Sequence, residues 1–297
     1  VTTAGRERGA ARRAGALLAL VLGLAGCGGG HAATGVTLTL TGDFGTRPIV
    51  QLQAPSPGSR ATALGLLRAH ARVAGGTGPG AAWFAYVNGE ARSTAAAGST
   101  ALRDGDRVWW DRHARDAAAG VRTVVGAFPE PFLHGLGHKR LPVRVECSDP
   151  EGAPCRTVAD GLVAAGVPAA RGILTGSRLQ DTLRVLVGPW DAVRADEALA
   201  QLERGPRVSG VYARPAGDGR SIVALDAGGA PAGVYGAGTG LVAATRVRDE
   251  PPVWAVTGTD AAGVAAAARA FDESTLGHRF AILVSADLPL SLPRPAR

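Results

Sequence analysis

The dipeptide Asn88-Gly89 follows directly on the apolar run from Ala81 to Val87, and it constrains the fold more than any other pair of residues in the chain. Both central residues of a type I′ hairpin turn take positive φ, and Asn-Gly does so at least steric cost. A strand over 81–87 must therefore turn back on itself at once. Upstream, Val36, Leu38 and Leu40 alternate with Thr37, Thr39 and Thr41, the period-two pattern of a strand with one buried face. Gly42-Asp43 turns the chain toward a second strand around Ile49-Val50-Gln51-Leu52. After the Pro55/Pro57 break, Ser59 is placed to cap a helix through about Val73, with Ala61, Leu64, Leu67 and Ala71 as its apolar stripe. Downstream, Leu102-Arg103-Asp104-Gly105-Asp106 leads into a last strand through Trp109-Trp110 to His113.

Strand, strand, helix, strand, strand over about 80 residues predicts an N-terminal β-grasp domain across 36–114. The matching residues are Ala63-Leu64 in the helix, Trp83-Phe84-Ala85-Tyr86-Val87-Asn88-Gly89, and Leu102-Arg103-Asp104-Gly105-Asp106-Arg107-Val108. With them the segment resembles the transcobalamin-like C-terminal domain, a family of unknown function in bacteria. In animal cobalamin carriers that domain serves as a lid over the corrin ring, so the resemblance implies a corrinoid as first ligand. On that basis Trp83, Tyr86 and Trp109 would pack on the macrocycle, Asn88 would hydrogen-bond its amide fringe, Arg107 would meet its phosphate, and His113 or His138 would offer imidazole to the cobalt.

Residues 115–140 read as a turn-rich connector around Phe128-Pro129-Glu130-Pro131-Phe132. A mixed α/β domain follows across 141–297. Strands are expected at 143–147, 183–187, 207–213, 221–227, 241–247, 253–257 and 279–284, with helices at 155–166, 192–204 and 261–271. Alternating β and α units predict a partly parallel sheet, making the whole chain α+β.

In the last N-terminal strand, alternation sets Val108 and Trp110 on one face and Trp109, Asp111 and His113 on the other. In its partner, Trp83, Ala85 and Val87 oppose Phe84, Tyr86 and Asn88. One face packs on the helix. The other is either open to a ligand or covered by the C-terminal half.

The first residues carry Arg6, Arg8, Arg12 and Arg13, then an apolar run from Ala14 to Leu24 that is too short to span a bilayer. It ends in Leu24-Ala25-Gly26-Cys27, which resembles the lipobox of bacterial lipoproteins. The resemblance implies a signal peptide over 1–26 and a diacylglycerol on Cys27. It also implies a flexible tether over 27–35 and a protein held on the outer face of the cell membrane. Outside the cytoplasm, the remaining pair Cys147 and Cys155 reads as a disulfide.

Of the net +7, the signal holds all but +4, too little over this length to mark a nucleic-acid partner. His134 and His138 have metal-ligand spacing, but Gly135 and Gly137 oppose a helix there. Gly236-Ala237-Gly238-Thr239-Gly240 leads into a strand rather than a helix, against a phosphate loop. No nucleophile elbow or zinc-protease pattern stands in the chain, so a non-enzymatic binding protein is expected, without metal or resident cofactor. The leading expectation is capture of a corrinoid or other small molecule, passed to a membrane transporter. The alternative is a cell-envelope interaction protein that binds glycan or a surface protein.

Overall fold

Asn88 and Gly89 take φ of 52° and 78°, so the hairpin turn forms as the dipeptide requires. The computed structural model describes residues 35–55, 58, 60–74, 80–117, 120–176 and 180–296. The signal segment, Cys27, the tether up to residue 34 and the proposed cap Ser59 lie outside the described residues.

In chain order the N-terminal part contains β1 (Val36–Gly42), β2 (Arg47–Ala54), α1 (Ala63–Ala74) and β3 (Ala81–Val87). It continues with β4 (Glu90–Arg92), α2 (Thr94–Ser99) and β5 (Arg107–Ala114). The sheet order is β2-β1-β5-β3-β4. β1 and β5 run parallel, and every other neighbouring pair is antiparallel. One face carries Val36, Leu38, Leu40, Ala85, Val87, Val108 and Trp110, which pack on Ala63 and Leu67 of α1. Trp110 also donates its indole N–H to the Ala63 carbonyl at 3.0 Å.

The C-terminal part runs β6 (Val143–Cys147), α3 (Ala153–Ala164), β7 (Ala169–Ile173) and β8 (Leu183–Pro189). Three short helices follow, α4 (Trp190–Val193), α5 (Glu197–Ala200) and α6 (Pro206–Ser209). Next come β9 (Ala213–Pro215), β10 (Ile222–Leu225), β11 (Pro231–Tyr235), β12 (Gly240–Thr245) and β13 (Val253–Gly258). The chain closes with α7 (Ala261–Arg269), α8 (Glu273–Leu276), β14 (Ala281–Ser285) and β15 (Leu288–Leu292). A seven-stranded sheet has the order β15-β14-β12-β13-β8-β6-β7, and β9–β11 form a small sheet of their own. β7, β6, β8 and β13 are parallel, whereas β12, β14 and β15 join antiparallel. The expected partly parallel sheet is present, and the molecule is a mixed α/β protein.

Two local expectations fail for identifiable reasons. The helix expected over 192–204 breaks, because Asp196 leaves helical geometry and caps a new turn through Ala198 N and Leu199 N. The strand expected over 207–213 shrinks to β9. Pro206 opens α6 there, and Gly210, at φ 76°, ends it in the left-handed region.

The described residues form one compact unit. The reason lies in the second face of the N-terminal sheet. Phe44, Tyr86 and Trp109 share a core with Leu186, Trp190, Tyr212, Ile222, Leu241, Ala255, Phe280 and Leu283. The other face of the seven-stranded sheet packs Val145, Val185, Trp254 and Ile282 against α3 and α7. Layers therefore run from α1 through two face-to-face sheets to α3 and α7. The stretch expected as a connector is itself core. Val124 and Val125 are fully buried, as are nearly all of Phe128 and Phe132. Its backbone also stitches the halves together, through Val124 N to Gly89 O at 3.0 Å and Val125 N to Phe280 O at 3.3 Å.

A disulfide joins Cys147, at the end of β6, to Cys155 in the first turn of α3, with Cα atoms 6.0 Å apart. By loop-closure entropy so short a ring contributes roughly 2–3 kcal/mol.

Candidate functional site

Alternation along β1, β2 and β5 sends Thr37 and Thr39, Gln51 and Gln53, and Arg107 and Trp109 to the face opposite α1. The C-terminal half covers most of that face and stops short at one end. What remains is a cavity of about 350 Å³ walled by those six side chains and by Gly126, Ala127, Glu273, Gly277 and His278. Arg107 spans it. Its guanidinium donates to the Phe128 carbonyl at 3.0 Å and to Glu273 Oε1 at 2.6 Å. Burial, with the Arg107 charge nearby, holds the His278 imidazole below its ordinary value of 6.5, so the ring is neutral at pH 7. Gly45 makes this geometry possible. At φ 81° its hydrogen faces the His278 carbonyl, where a Cβ would come within 1.9 Å.

A chain of hydrogen bonds runs inward from the cavity. Trp109 donates its indole N–H to Thr41 Oγ1 at 2.7 Å, and Thr41 donates to Asp111 Oδ2 at 2.5 Å. Asp111 is wholly buried and also accepts from Phe44 N, Gly45 N and His113 Nδ1. Four donors on one carboxylate make the buried charge tolerable.

The six residues expected to bind ligand do not converge. Arg107 and the edge of Trp109 share the cavity. Trp83 lies on the α1 side of the sheet, and His113 lines a separate cavity. Tyr86 is 2% exposed, edge-on to Phe280 with ring centroids 5.5 Å apart. Burial first, then Asp111 and Tyr212, pushes its phenol well above the ordinary value, so it stays neutral. Asn88 spends both ends of its amide on the closing strand, donating to Asp106 Oδ1 at 2.8 Å and accepting from Arg107 N at 2.9 Å. Of the two fates open to the second sheet face, the structure shows it covered.

Glu273 lies 166 residues beyond Arg107 of β5, and no local pattern announces it or His278. Thr37 and Thr39 were readable as a polar side from alternation, but not as a cavity wall shared with Gln51 and Gln53.

His134 and His138 sit in a loop, as their flanking glycines imply. His134 is held by the buried Glu130 and His138 by Asp106. Among the described residues no three His, Cys, Asp or Glu side chains gather as a metal site. The glycine-rich segment enters β12, and Asp260 caps α7 by accepting from Gly263 N at 2.8 Å while also holding Gly238 N at 2.8 Å. Those two amides pull the Asp260 carboxyl below its ordinary value of 3.8. A depressed carboxylate adds stability above its unfolded pKa and loses it as pH falls through the folded one. Asp260→Asn keeps a cap but has no charge to lose. Thermal melting should therefore show wild type ahead at pH 6, with the gap closing as pH falls from 5 to below 3. An unchanged gap would contradict this.

Comparison with protein families, with curated proteins and with solved structures gives no match to this chain.

Proposed function

We propose that the protein is a non-enzymatic binding protein, tethered by a lipid on Cys27 at the outer face of the membrane, whose Arg107 cavity takes a sugar unit of a cell-envelope glycan. The lining carries the reading. Two hydroxyls, two carboxamides, a neutral imidazole and an Arg–Glu pair surround one tryptophan edge, a donor and acceptor set suited to sugar hydroxyls. Its volume stands at the small end of ligand cavities, which suits one ring rather than a macrocycle.

A β-grasp N-terminal domain is supported by the β2-β1-β5-β3-β4 order, the parallel central pair and α1 on one face. The corrinoid reading, with delivery to a membrane transporter, draws its support from the family resemblance. Against it, Tyr86 and Trp109 are buried and their rings pack against Phe280.

Titration of tryptophan fluorescence separates the two. Soluble peptidoglycan fragments and uronic acids are expected to shift the emission, and Arg107→Ala to weaken binding about tenfold, the worth of one charged hydrogen bond. Quenching by micromolar cobalamin with silent sugars would replace the glycan by a corrinoid. Silence to both would sink the binding assignment at this cavity.

A further inference from the structure

We propose a second ligand site at the far end of β5, built on His113 and suited to a small, mainly apolar molecule that carries a hydroxyl group. It is independent of the Arg107 cavity. The His113 side chain is 3% exposed, and its ring lies between Phe44 and Phe84, with centroids 4.0 and 3.9 Å away. Its Nδ1 is committed to Asp111 at 2.7 Å. Nε2 has no hydrogen-bond partner among the described residues and is not among the side-chain atoms sealed from solvent without one, so it stays accessible to a ligand.

The unpaired nitrogen belongs to a ring that lines a cavity of about 370 Å³. Phe44, Ala227, Pro293 and Pro295 give the walls their apolar character, and the carboxylates of Asp43 and Asp226 stand on the lining with Arg294. The C-terminal tail closes one side, fixed by Arg294 N donating to the Leu225 carbonyl at 2.8 Å. The volume falls within the range of small-molecule sites, and apolar walls with a few placed polar groups are their usual make-up.

The ring's environment selects the ligand group. With Nδ1 turned to Asp111, neutral His113 presents Nε2 as an acceptor, and the charged ring presents Nε2–H as a donor. A hydroxyl satisfies either state. The stacking phenylalanines and the Asp111 bond fix the ring, so a ligand meets a nitrogen already in place and loses little in ordering it.

The test uses p-cresol and toluene, which share a ring and a methyl group and differ by the hydroxyl. In 15N-histidine-labelled full-length protein, p-cresol is expected to move the His113 Nε2 resonance and to bind at least tenfold tighter than toluene. Ala227→Phe fills the cavity without touching Asp111, and should abolish both effects. His113→Phe keeps the stack between Phe44 and Phe84 and should bind the two probes alike. The proposal is overturned if Nε2 does not respond at saturating p-cresol, if wild type binds both probes equally, or if the Ala227→Phe protein still shows the shift.

Discussion

Arg184→Met is expected to cost about 3–5 kcal/mol of folding stability, the loss typical when a buried ion pair is left with one partner. Glu146, on β6, is wholly buried, and Arg184 on the adjacent parallel strand β8 is 4% exposed. The guanidinium meets the carboxylate through two contacts, Nε to Oε1 at 3.2 Å and Nη2 to Oε2 at 3.1 Å. A third bond runs from Nη1 to Asp196 Oδ2 at 2.7 Å. Burial works against the Arg184 charge, but the bonds to Glu146 and Asp196 outweigh it and push its pKa above the ordinary value. Methionine fills much of the same space and supplies no donor. Among the described residues Glu146 would then keep Thr175 Oγ1 at 3.3 Å and, at 4.0 Å, Arg144.

A double variant separates charge from shape. Adding Glu146→Leu to Arg184→Met removes the stranded carboxylate, and apolar replacements of a buried pair are often neutral or better. Urea unfolding should show most of the loss recovered. Asp196 stays supported by Ala198 N and Leu199 N and tolerates the change. A single-variant loss below about 1 kcal/mol would match an exposed pair instead. The neighbouring 220 Å³ cavity, lined by Arg184 and Asp196, would then be acting as a water-filled vent.

How far such features could be foreseen depends on the range over which they act. Local signals did well. Asn88-Gly89 forced a hairpin, the Val36–Thr41 alternation gave a strand whose apolar side packs on α1, although its threonine side proved largely buried too, and the Gly236–Gly240 segment entered a strand. The edge strands β7, β11 and β15 were missed. Each is five residues long, and Ala169–Ile173 leaves no residue fully buried, so its pattern carries no apolar face. The site was least legible. Alternation gave the correct side for Trp109, Asp111 and His113, but it could not say that Phe280 and Tyr212 would arrive to cover that side. Exposed aromatics expected as a binding platform became core, and the polar residues between them became the cavity wall. Charge gave no warning either, because Arg107 meets Glu273 across 166 positions.

Gly258→Ala is expected to destabilise the C-terminal half by about 3 kcal/mol, at the upper end of overpacking costs. Gly240 and Gly258 pair across β12 and β13, directly beneath the first turn of α7. A Cβ on Gly258 would lie 2.5 Å from Gly263 C and Val264 N, and one on Gly240 would lie 2.4 Å from Gly263 O. From the other side, a Cβ on Gly263 would lie 2.3 Å from Thr239 O. The obstacles are backbone atoms and, 2.9 Å from the Gly240 position, the Cβ of Ala267, so no side chain can swing aside to make room. None of the three glycines has φ in the left-handed region, so the constraint is space and not torsion. Helix α7 can move off only by lifting Val264 and Ala267 out of the core they share with Trp254 and Val256. Gly236, in the same glycine-rich segment, is the control. It is exposed, its φ is ordinary and nothing lies within 4 Å of its Cβ position. Alanine there should be neutral, or stabilising by about 0.4–1 kcal/mol through the unfolded chain. Thermal and urea unfolding of the two variants beside wild type decide the matter. If Gly258→Ala melts with Gly236→Ala, then the glycines do not seat α7 on the strand ends, and their clustering has to be explained by something other than packing.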